Sequence, residues 1–376
     1  MARFAHIADT HIRNLKYHSE YRSVFEKMYS ILREENVDYI VHCGDIAHTK
    51  TQISPEFVDM AASFFKELSS IAPTYIILGN HDGNLKNSSR QDALSPIIEA
   101  LDLPDLYLLK SSGEVHLGKN IALNVLSVFD EDNWEEPSDP RKINIALYHG
   151  SVAGVVTDTG WVMEHGDHDI AIFEEFDFAF LGDIHKTNQI LDPDGRVRYP
   201  GSTVQQNHGE TNDKGFLIWD IEDKDTFTVK HHVLENPRPF VTIELTKQGR
   251  IPRKVEVPEG ARLRLVSNNN IPIHKLRRAM DTAKTKFKPT AITFLNRAGS
   301  DRGNVDIDGN FIQEDLRDIT VQEKFFKEFL TDYEVTDEML ERIYSLNRKY
   351  NTIVEDGEDI KRNVRWKLKS VEWNNL

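Results

Sequence analysis

The chain has 376 residues, and its formal charge of −15 comes from 46 Lys and Arg residues against 61 Asp and Glu residues. The length allows two or three domains, and the acidic balance argues against a protein that coats nucleic acid by bulk charge, although phosphoryl chemistry stays open. The apolar runs are only as long as strands, so we expect no membrane span, and the chain shows no signal-peptide pattern. Its single cysteine, Cys43, excludes an internal disulfide, and we expect a cytoplasmic protein.

Apolar runs alternate with helical patterns through the first half of the chain. Strands are predicted at 4–8, 39–43, 74–78, 143–148 and 178–181. Helices are predicted over 21–33, from Ser54 and Pro55 to 68, and over 92–101. The order strand, helix, strand indicates βαβ units with right-handed crossovers.

The second half predicts a closing pair of strands and two smaller parts. The closing strands lie at 215–221 and 227–233, before a linker at 237–239. A small α+β unit follows, with strands at 240–245, 262–266 and 291–295 and a helix over 273–287. Beyond a second linker at 301–309, helices are predicted from Thr320 and over 339–346.

Side chains that can bind metal ions directly follow five of the predicted strands. They are Asp9, His11, Asp45, Asn80, His81, His149, Asp183 and His185. Each motif alone can be a turn, since Gly-Asn is a common turn signal. Their joint occurrence indicates a metal site, because ligands of open α/β sheets bind beyond the carboxyl ends of the strands.

The types of ligand in this set indicate which ions the site would bind. Carboxylate, amide oxygen and imidazole without thiolate favour hard or borderline divalent ions such as manganese, with iron or zinc as alternatives. Eight side chains are too many for one ion and suit two. A carboxylate that bridges two ions is the arrangement expected for in-line displacement at phosphorus.

The motifs also carry a family resemblance. The series is Asp9-x-His11, Gly44-Asp45, Gly79-Asn80-His81-Asp82, His149-Gly150 and Gly182-Asp183-x-His185. It resembles the calcineurin-like metallophosphoesterase superfamily, and within it the SbcD-type nuclease subunit of DNA double-strand-break repair complexes, including phage-encoded versions. The resemblance implies an α/β fold: a metallophosphoesterase β-sandwich flanked by helices at 1–236, a small α+β DNA-capping domain at 237–310 and C-terminal helices at 311–376.

The resemblance also implies a role for each site residue. One ion would be held by Asp9, His11 and His185, the other by Asn80, His149 and Asp183, with Asp45 as the bridge. His81 would be the catalytic acid that protonates the leaving oxygen or stabilises the transition state, and Asp82 would orient it.

One position departs from the family pattern. The family commonly has histidine where this chain has Asp183. Aspartate can ligate the same kind of ion, but it makes the site more anionic and favours Mn²⁺, or Mg²⁺ as the alternative, over softer ions. We expect this change to affect the rate and the metal preference without inactivating the site.

Two further sets of residues are expected to bind macromolecules. Basic residues of the helix over 273–287 could neutralise DNA backbone phosphates, or could form an ordinary solvated helix face; they are Lys275, Arg277, Arg278 and Lys284. In the family, C-terminal helices dock on the coiled coil of an SbcC-type ABC ATPase, and the subunit is a homodimer. The apolar residues expected to dock, unless they pack on the chain's own core, are Phe325, Phe329, Ile343 and Trp366.

The expected function is a two-metal DNA exonuclease, with endonuclease activity left open, that acts on DNA ends, hairpins or single strands in repair and recombination. Two alternatives stay open. A metallophosphoesterase for nucleotides or phosphoproteins would share the site but would not need a basic cap. A weakly catalytic DNA-binding scaffold is motivated by Asp183, whereas the intact Asp9, Asp45, Asn80 and His81 argue against it.

Overall fold

The computed structural model describes residues 1–50, 53–87, 90–297, 323 and 336–355, with side chains up to 348 in the last range. The chain divides into two compact units, Met1–Thr293 and Phe294–Leu376. In the described part of the chain, no helix has the length and apolar character that a membrane span requires.

A six-stranded sheet forms one half of the first unit. From edge to edge its strands are Phe227–Val233 (β12), Gly215–Ile221 (β11), Ala2–Ile7 (β1), Tyr39–Cys43 (β2), Thr74–Ile77 (β3) and Leu106–Leu109 (β4). β1 to β4 run parallel, while β11 is antiparallel to both β1 and β12. The predicted βαβ order and the predicted closing antiparallel pair are therefore confirmed.

A second six-stranded sheet packs against the first. Its strands in spatial order are Gly113–Leu117 (β5), Ile121–Leu126 (β6), Ile143–His149 (β7), Phe178–Gly182 (β8), Val197–Tyr199 (β10) and Gln189–Ile190 (β9). β6, β7, β8 and β10 run parallel, and the two edge strands are antiparallel to their neighbours. Each sheet therefore contains a set of parallel strands, and the carboxyl ends of these strands can carry the residues of a site.

The core between the sheets is aromatic. Phe4 of β1, Phe180 of β8 and Trp219 of β11 are fully buried, and the Phe180 ring lies 4.8 Å from Trp219 and 5.9 Å from Phe4 between centroids. Because strand side chains alternate between faces, Ala5 and Ile7 point instead to the layer outside the sheet. Burial of each large apolar side chain contributes roughly 1.5–3 kcal/mol, so this layer holds the sandwich together.

Three helices cover the outer face of the first sheet. They are His18–Glu35 (α1), Pro55–Ile71 (α2) and Ser95–Leu101 (α3). The predicted start of α2 is confirmed, because the Ser54 hydroxyl accepts a hydrogen bond from the Phe57 amide at 3.1 Å and Pro55 begins the helix. The second sheet is covered differently: Val152, Val155 and the short 3₁₀ helix Ile170–Phe173 pack on its outer face.

The predicted α+β unit is present, and all of it except the end of its last strand belongs to the first compact unit. Its sheet has the order Phe240–Glu244 (β13), Arg262–Ser267 (β14) and Ala291–Asn296 (β15), and its helix is Ile273–Phe287 (α4). Gln205 connects this small sheet to the sandwich, since its side chain bonds both the amide and the carbonyl of Phe240. The boundary between the two compact units falls inside β15, and the predicted domain boundary between 236 and 237 stays a prediction.

The second compact unit is described only in part. Its helix Asp337–Glu355 (α5) contains the predicted segment 339–346, and Arg348 forms a two-bonded ion pair with Glu323. The predicted helix that carries Phe325 and Phe329, the second linker at 301–309 and the segment around Trp366 lie outside the described residues.

Candidate metal centre

Five strand ends from two sheets meet at one edge of the sandwich. Three come from β1, β2 and β3 of the first sheet, and two come from β7 and β8 of the second. The backbone amide of Asp183, after β8, donates to the carboxylate of Asp9, after β1, at 3.0 Å. The structure thereby brings together all seven predicted metal ligands: Asp9, His11, Asp45, Asn80, His149, Asp183 and His185.

The backbone is strained at four of these ligands. Asp9, His11, Asp45 and Asp183 all adopt left-handed conformations, with φ of 52°, 48°, 60° and 99°. Such a conformation costs a non-glycine residue about 1–3 kcal/mol and persists only where the surroundings hold it in place. Here the amide of Asp9 donates to Gly44 and the amide of His11 donates to the carbonyl of Asp45, at 3.1 and 2.9 Å. The turns that present the ligands are therefore tied to one another.

One group of ligands consists of Asp9, His11 and His185, whose ligand atoms lie within 4.8 Å of one another. The Nε2 atoms of the two histidines are 3.0 Å apart, and His11 Nε2 is 3.9 Å from Asp9 Oδ1. His185 Nδ1 donates to Glu210 Oε1 at 2.9 Å, so its Nε2 presents a lone pair in the neutral ring. This is the arrangement by which a carboxylate orients a metal-binding histidine.

His149 forms the centre of a second group. Its Nδ1 donates to the carbonyl oxygen of Cys43 at 2.7 Å, which leaves Nε2 as the lone-pair atom. Nε2 is buried 3.4 Å from Asp45 Oδ1 and 3.8 Å from Asp183 Oδ1, and it has no hydrogen-bond partner among the described residues. A buried imidazole nitrogen that faces two carboxylates without a hydrogen bond fits a divalent cation.

Asp45 lies between the two groups. Its Oδ1 faces His149 Nε2, and its Oδ2 lies 3.6 Å from His11 Nε2. Each carboxylate oxygen therefore faces one histidine, which is the geometry that a bridging ligand needs. Asn80 completes the second group, because its Nδ2 donates to Asp183 Oδ1 at 3.0 Å.

Burial and the charges of the cluster shift the pKa values of its members in opposite directions. Burial raises the pKa of Asp9 to about 7. Burial acts the same way on Asp45, but His149 and His11 outweigh it and hold the pKa of Asp45 below its usual range. Burial would lower the pKa of His185, yet its hydrogen bond to Glu210 raises the value to about 9. Opposed shifts of this kind are typical of carboxylates and imidazoles that are buried close together.

His81 lies beside Asp45 and is oriented by a backbone group. Its amide donates to Asp45 Oδ1 at 2.7 Å, and its Nδ1 donates to the carbonyl oxygen of His48 at 2.8 Å. The fully buried Asp82 instead accepts hydrogen bonds from the amides of Asp45 and Ala47 at 2.8 and 2.7 Å. The backbone carbonyl of His48 therefore orients the ring of His81, and Asp82 supports the loop that carries Asp45. The orienting role expected of Asp82 stays a prediction.

Comparison with known proteins agrees with this geometry. Residues 2–187 match the family model described as calcineurin-like phosphoesterase. Residues 2–187 are a calcineurin-like phosphoesterase domain. All seven candidate metal ligands lie within this phosphoesterase domain.

Three relatives show how far the similarity extends. Uncharacterized protein R555 of Acanthamoeba polyphaga mimivirus is 38% identical over 279 residues, 70% of this chain and 20% of that protein. DNA double-strand break repair protein Mre11 of Haloferax volcanii is 25% identical over 264 residues, 66% of this chain and 56% of the relative. Putative phosphoesterase 244L of invertebrate iridescent virus 6 is 25% identical over 202 residues, 50% of this chain and 66% of the relative. The matches thus span a fifth to about two thirds of these relatives.

Sequence reasoning missed several residues around the phosphoesterase site. The ring of His48 lies 5.6 Å from that of His11 and 6.1 Å from that of His81 between centroids. Its signal was available, because it follows Asp45 by three residues in the same loop. Glu210 and Lys214 contact His185 from a loop that follows no apolar run, so the strand-end pattern could not reveal them.

The residues predicted to bind DNA lie on α4, and those predicted to dock a partner belong to the second compact unit. Lys275, Arg277, Arg278 and Lys284 are all exposed on the solvent face of α4. Among the residues predicted to dock a partner, Ile343 lies half-buried in α5. Phe325, Phe329 and Trp366 are outside the described residues.

Proposed function

We propose that this chain is a metal-dependent DNA nuclease that works in double-strand-break repair and recombination. Its main activity would be that of an exonuclease. The observation that carries the proposal is the convergence of seven metal-binding side chains from five strand ends. Such a cluster supports hydrolysis of a phosphodiester. DNA as the substrate is supported by relatives whose name is DNA double-strand break repair protein Mre11.

Two divalent ions fit the two groups of ligands. Asp9, His11 and His185 would hold one ion, and the second group would hold the other, with Asp45 between them. Three carboxylates and an amide make the set hard, which supports Mn²⁺, with Mg²⁺ as the alternative. When bound, such ions polarise a phosphate and lower the pKa of a water molecule.

His81 would handle the proton of the reaction. A carbonyl oxygen can only accept a hydrogen bond, so the contact with His48 requires a proton on Nδ1 of His81. Nε2 then carries a proton only in the imidazolium form. That form can donate to the leaving oxygen or stabilise the charge that develops on the phosphate.

The small α+β unit would contact a long substrate. The side chain of Gln205 bonds to Phe240, and Thr242 bonds the carbonyl of His208. The same loop carries Glu210, which holds His185. The unit is therefore attached next to the metal centre, and the exposed basic face of α4 supports its role as a DNA cap.

The proposal includes two protein partners. The SbcC-type ATPase would dock on the C-terminal helices, and the apolar spacing of Met339, Leu340 and Ile343 in α5 supports a helix-in-groove contact. A second copy of the chain would complete a homodimer. A pull-down with the chain cut after residue 315 tests the first partner, because undiminished ATPase binding would contradict it. Light scattering of the purified chain tests the second partner, and a monomer would contradict it.

The proposed activity is tested with linear duplex DNA and Mn²⁺, with the His81→Ser variant in parallel. Wild type should release nucleotides, and the variant should lose about 10²–10⁴-fold, the usual contribution of a general acid. Both proteins should bind Mn²⁺ equally, because His81 is assigned to the proton and not to an ion. A wild type that hydrolyses small phosphodiesters but leaves DNA intact would contradict the nuclease function.

A phosphoesterase acting on nucleotides or phosphoproteins is the second candidate. The metal centre alone supports it, and one viral relative is named putative phosphoesterase 244L. The basic face of α4 separates the two functions. Replacement of Lys275, Arg277 and Lys284 by Ala should weaken DNA cleavage and leave hydrolysis of a small diester unchanged if DNA is the substrate.

A further inference from the structure

Lys214 is fully buried and is not one of the seven candidate metal ligands. Its ammonium group bonds both oxygens of Asp158, at 2.8 and 3.0 Å, and the side chain of Asp158 is only 7% exposed. A buried lysine is costly unless it is paired and hydrogen-bonded. The third bond of the ammonium group goes to the carbonyl oxygen of His185, at 2.7 Å.

The position of Asp158 gives this ion pair its significance. Residues 155–163 form a β-hairpin, in which the amide of Met163 donates to the carbonyl of Val155 at 2.8 Å and Val156 pairs with Val162. Asp158 lies at its tip. None of the hairpin residues is one of the seven candidate ligands. The connection from the hairpin to the metal centre runs from Asp158 through Lys214 to His185.

Hydrogen bonds fix both the ring and the backbone of His185. Glu210 fixes the ring through Nδ1, and Lys214 fixes the backbone through the carbonyl, which also accepts from the amide of Ser202 at 3.2 Å. The side chain of Gln189 bonds the amide and the carbonyl of Val156, which ties the hairpin to the segment that follows His185. The hairpin is therefore connected to His185 through Lys214 and to the segment after His185 through Gln189.

We infer that Lys214 is a positioning residue, which together with Asp158 fixes the metal ligand His185 and makes the binding of one ion depend on the 155–163 hairpin. The inference rests on the metal centre of the proposed function. Groups that orient metal ligands typically contribute 10- to 100-fold to metal affinity. The effect should be confined to the ion held by Asp9, His11 and His185, because Lys214 contacts none of the other ligands.

The test is Mn²⁺ titration calorimetry on the full chain, which reports stoichiometry and affinity without relying on catalysis. Lys214→Met leaves Asp158 unpaired and is expected to lower stability as well. The double variant Lys214→Met/Asp158→Leu replaces the pair with apolar side chains, which proteins commonly tolerate without loss of stability. Lys214→Arg keeps the charge and moves the donor atom. It replaces the double variant in the titration if the double variant does not fold.

Lys224, whose side chain is 33% exposed, provides a control beyond the other end of β11. Its ammonium group also bonds one carboxylate and one carbonyl, those of Asp177 and Pro140, at 2.9 and 2.7 Å. Wild type and Lys224→Met should bind two ions, whereas the double variant or Lys214→Arg should bind one ion normally and the other 10- to 100-fold more weakly. Two ions bound with wild-type affinity in the Lys214 variants, or equal weakening in Lys224→Met, would overturn the inference. A wild type that binds no Mn²⁺ would overturn the metal centre itself, before any variant is compared.

Discussion

The side-chain amide of Asn80 donates a hydrogen bond to the carboxylate of Asp183 across 3.0 Å, and this contact joins the ends of the two sheets. It leaves the Oδ1 of Asn80 as the atom that can face an ion. Asp183 thus has two tasks, since it orients Asn80 and adds negative charge beside His149.

The metal preference should therefore depend on Asp183. Asp183→His replaces a hard, charged ligand by a softer, neutral one, so affinity for Mn²⁺ should fall on the order of tenfold, about 1.4 kcal/mol, and the preference should shift towards Zn²⁺. Competition titrations of Mn²⁺ and Zn²⁺ with both proteins measure the shift. An unchanged ratio of affinities would show that Asp183 does not set the preference.

Gly44 has a steric role in the metal centre, which a matched pair of substitutions isolates. Gly44 and Gly118 both have left-handed φ, at 84° and 66°, but a Cβ on Gly44 would lie 2.5 Å from His149 Nδ1, whereas a Cβ on Gly118 meets no atom within 4 Å. Gly118→Ala should cost only backbone strain, about 1–2 kcal/mol.

Gly44→Ala should cost about 1–3 kcal/mol more than this control, because His149 must move. It should also weaken Mn²⁺ binding, while Gly118→Ala leaves binding unchanged. Urea unfolding and calorimetry of the two variants measure these effects. Equal stability losses and equal Mn²⁺ affinity would show that the close approach at Gly44 has no function.

The contact between Arg262 and Glu20 attaches the α+β unit to α1. The pair is nearly buried, and the Arg262 guanidinium also lies 4.1 Å from the centre of the Tyr17 ring. Arg262→Ala leaves Glu20 buried without its partner, so it should destabilise the protein by about 3–5 kcal/mol. Lys288→Ala breaks the exposed pair with Glu259 and should cost less than about 1 kcal/mol. Equal losses would contradict the role of the buried contact.

The same pair predicts a pH dependence. Burial alone would raise the pKa of Glu20, but hydrogen bonds from Ser19 and Arg262 outweigh it and hold the pKa below its usual value. Because the folded pKa is depressed, this stabilisation is complete above the unfolded value of about 4.3 and is lost as the pH falls below it. Urea unfolding between pH 6 and 3 should therefore show a smaller acid-induced loss in Arg262→Ala than in wild type. Identical losses would assign the acid sensitivity to other groups.

Much of the site could be predicted from the sequence, because strand ends carry a strong local signal. The apolar run at 74–77 ends abruptly at Asn80 and His81, and the structure confirms such an end at each of the five strands. The start of α2 was also predictable, since Ser54 and Pro55 act through contacts within four residues.

What the sequence could not predict depends on contacts between distant segments. The apolar pattern of a buried strand is the same in either sheet. The sequence therefore does not indicate that β1 to β3 lie in one sheet and β7 and β8 in another. Glu210, Lys214 and Asp158 act through bonds that span 25 to 56 residues. The start of α3 shifted from Asp92 to Ser95, because the Asp92 carboxylate accepts the amides of Leu94 and Ser95 and forms a turn before the helix.

The role of the metal centre in DNA cleavage is tested by the release of nucleotides from linear duplex DNA, measured with and without Mn²⁺ for wild type and Asp45→Asn. Asp45 faces both groups of ligands, so the variant should lose bound metal and nuclease activity together while it remains folded. The proposed function predicts Mn²⁺-dependent release by wild type and none by Asp45→Asn. Release by the variant at the wild-type rate, or release by wild type after complete removal of divalent ions, would contradict it.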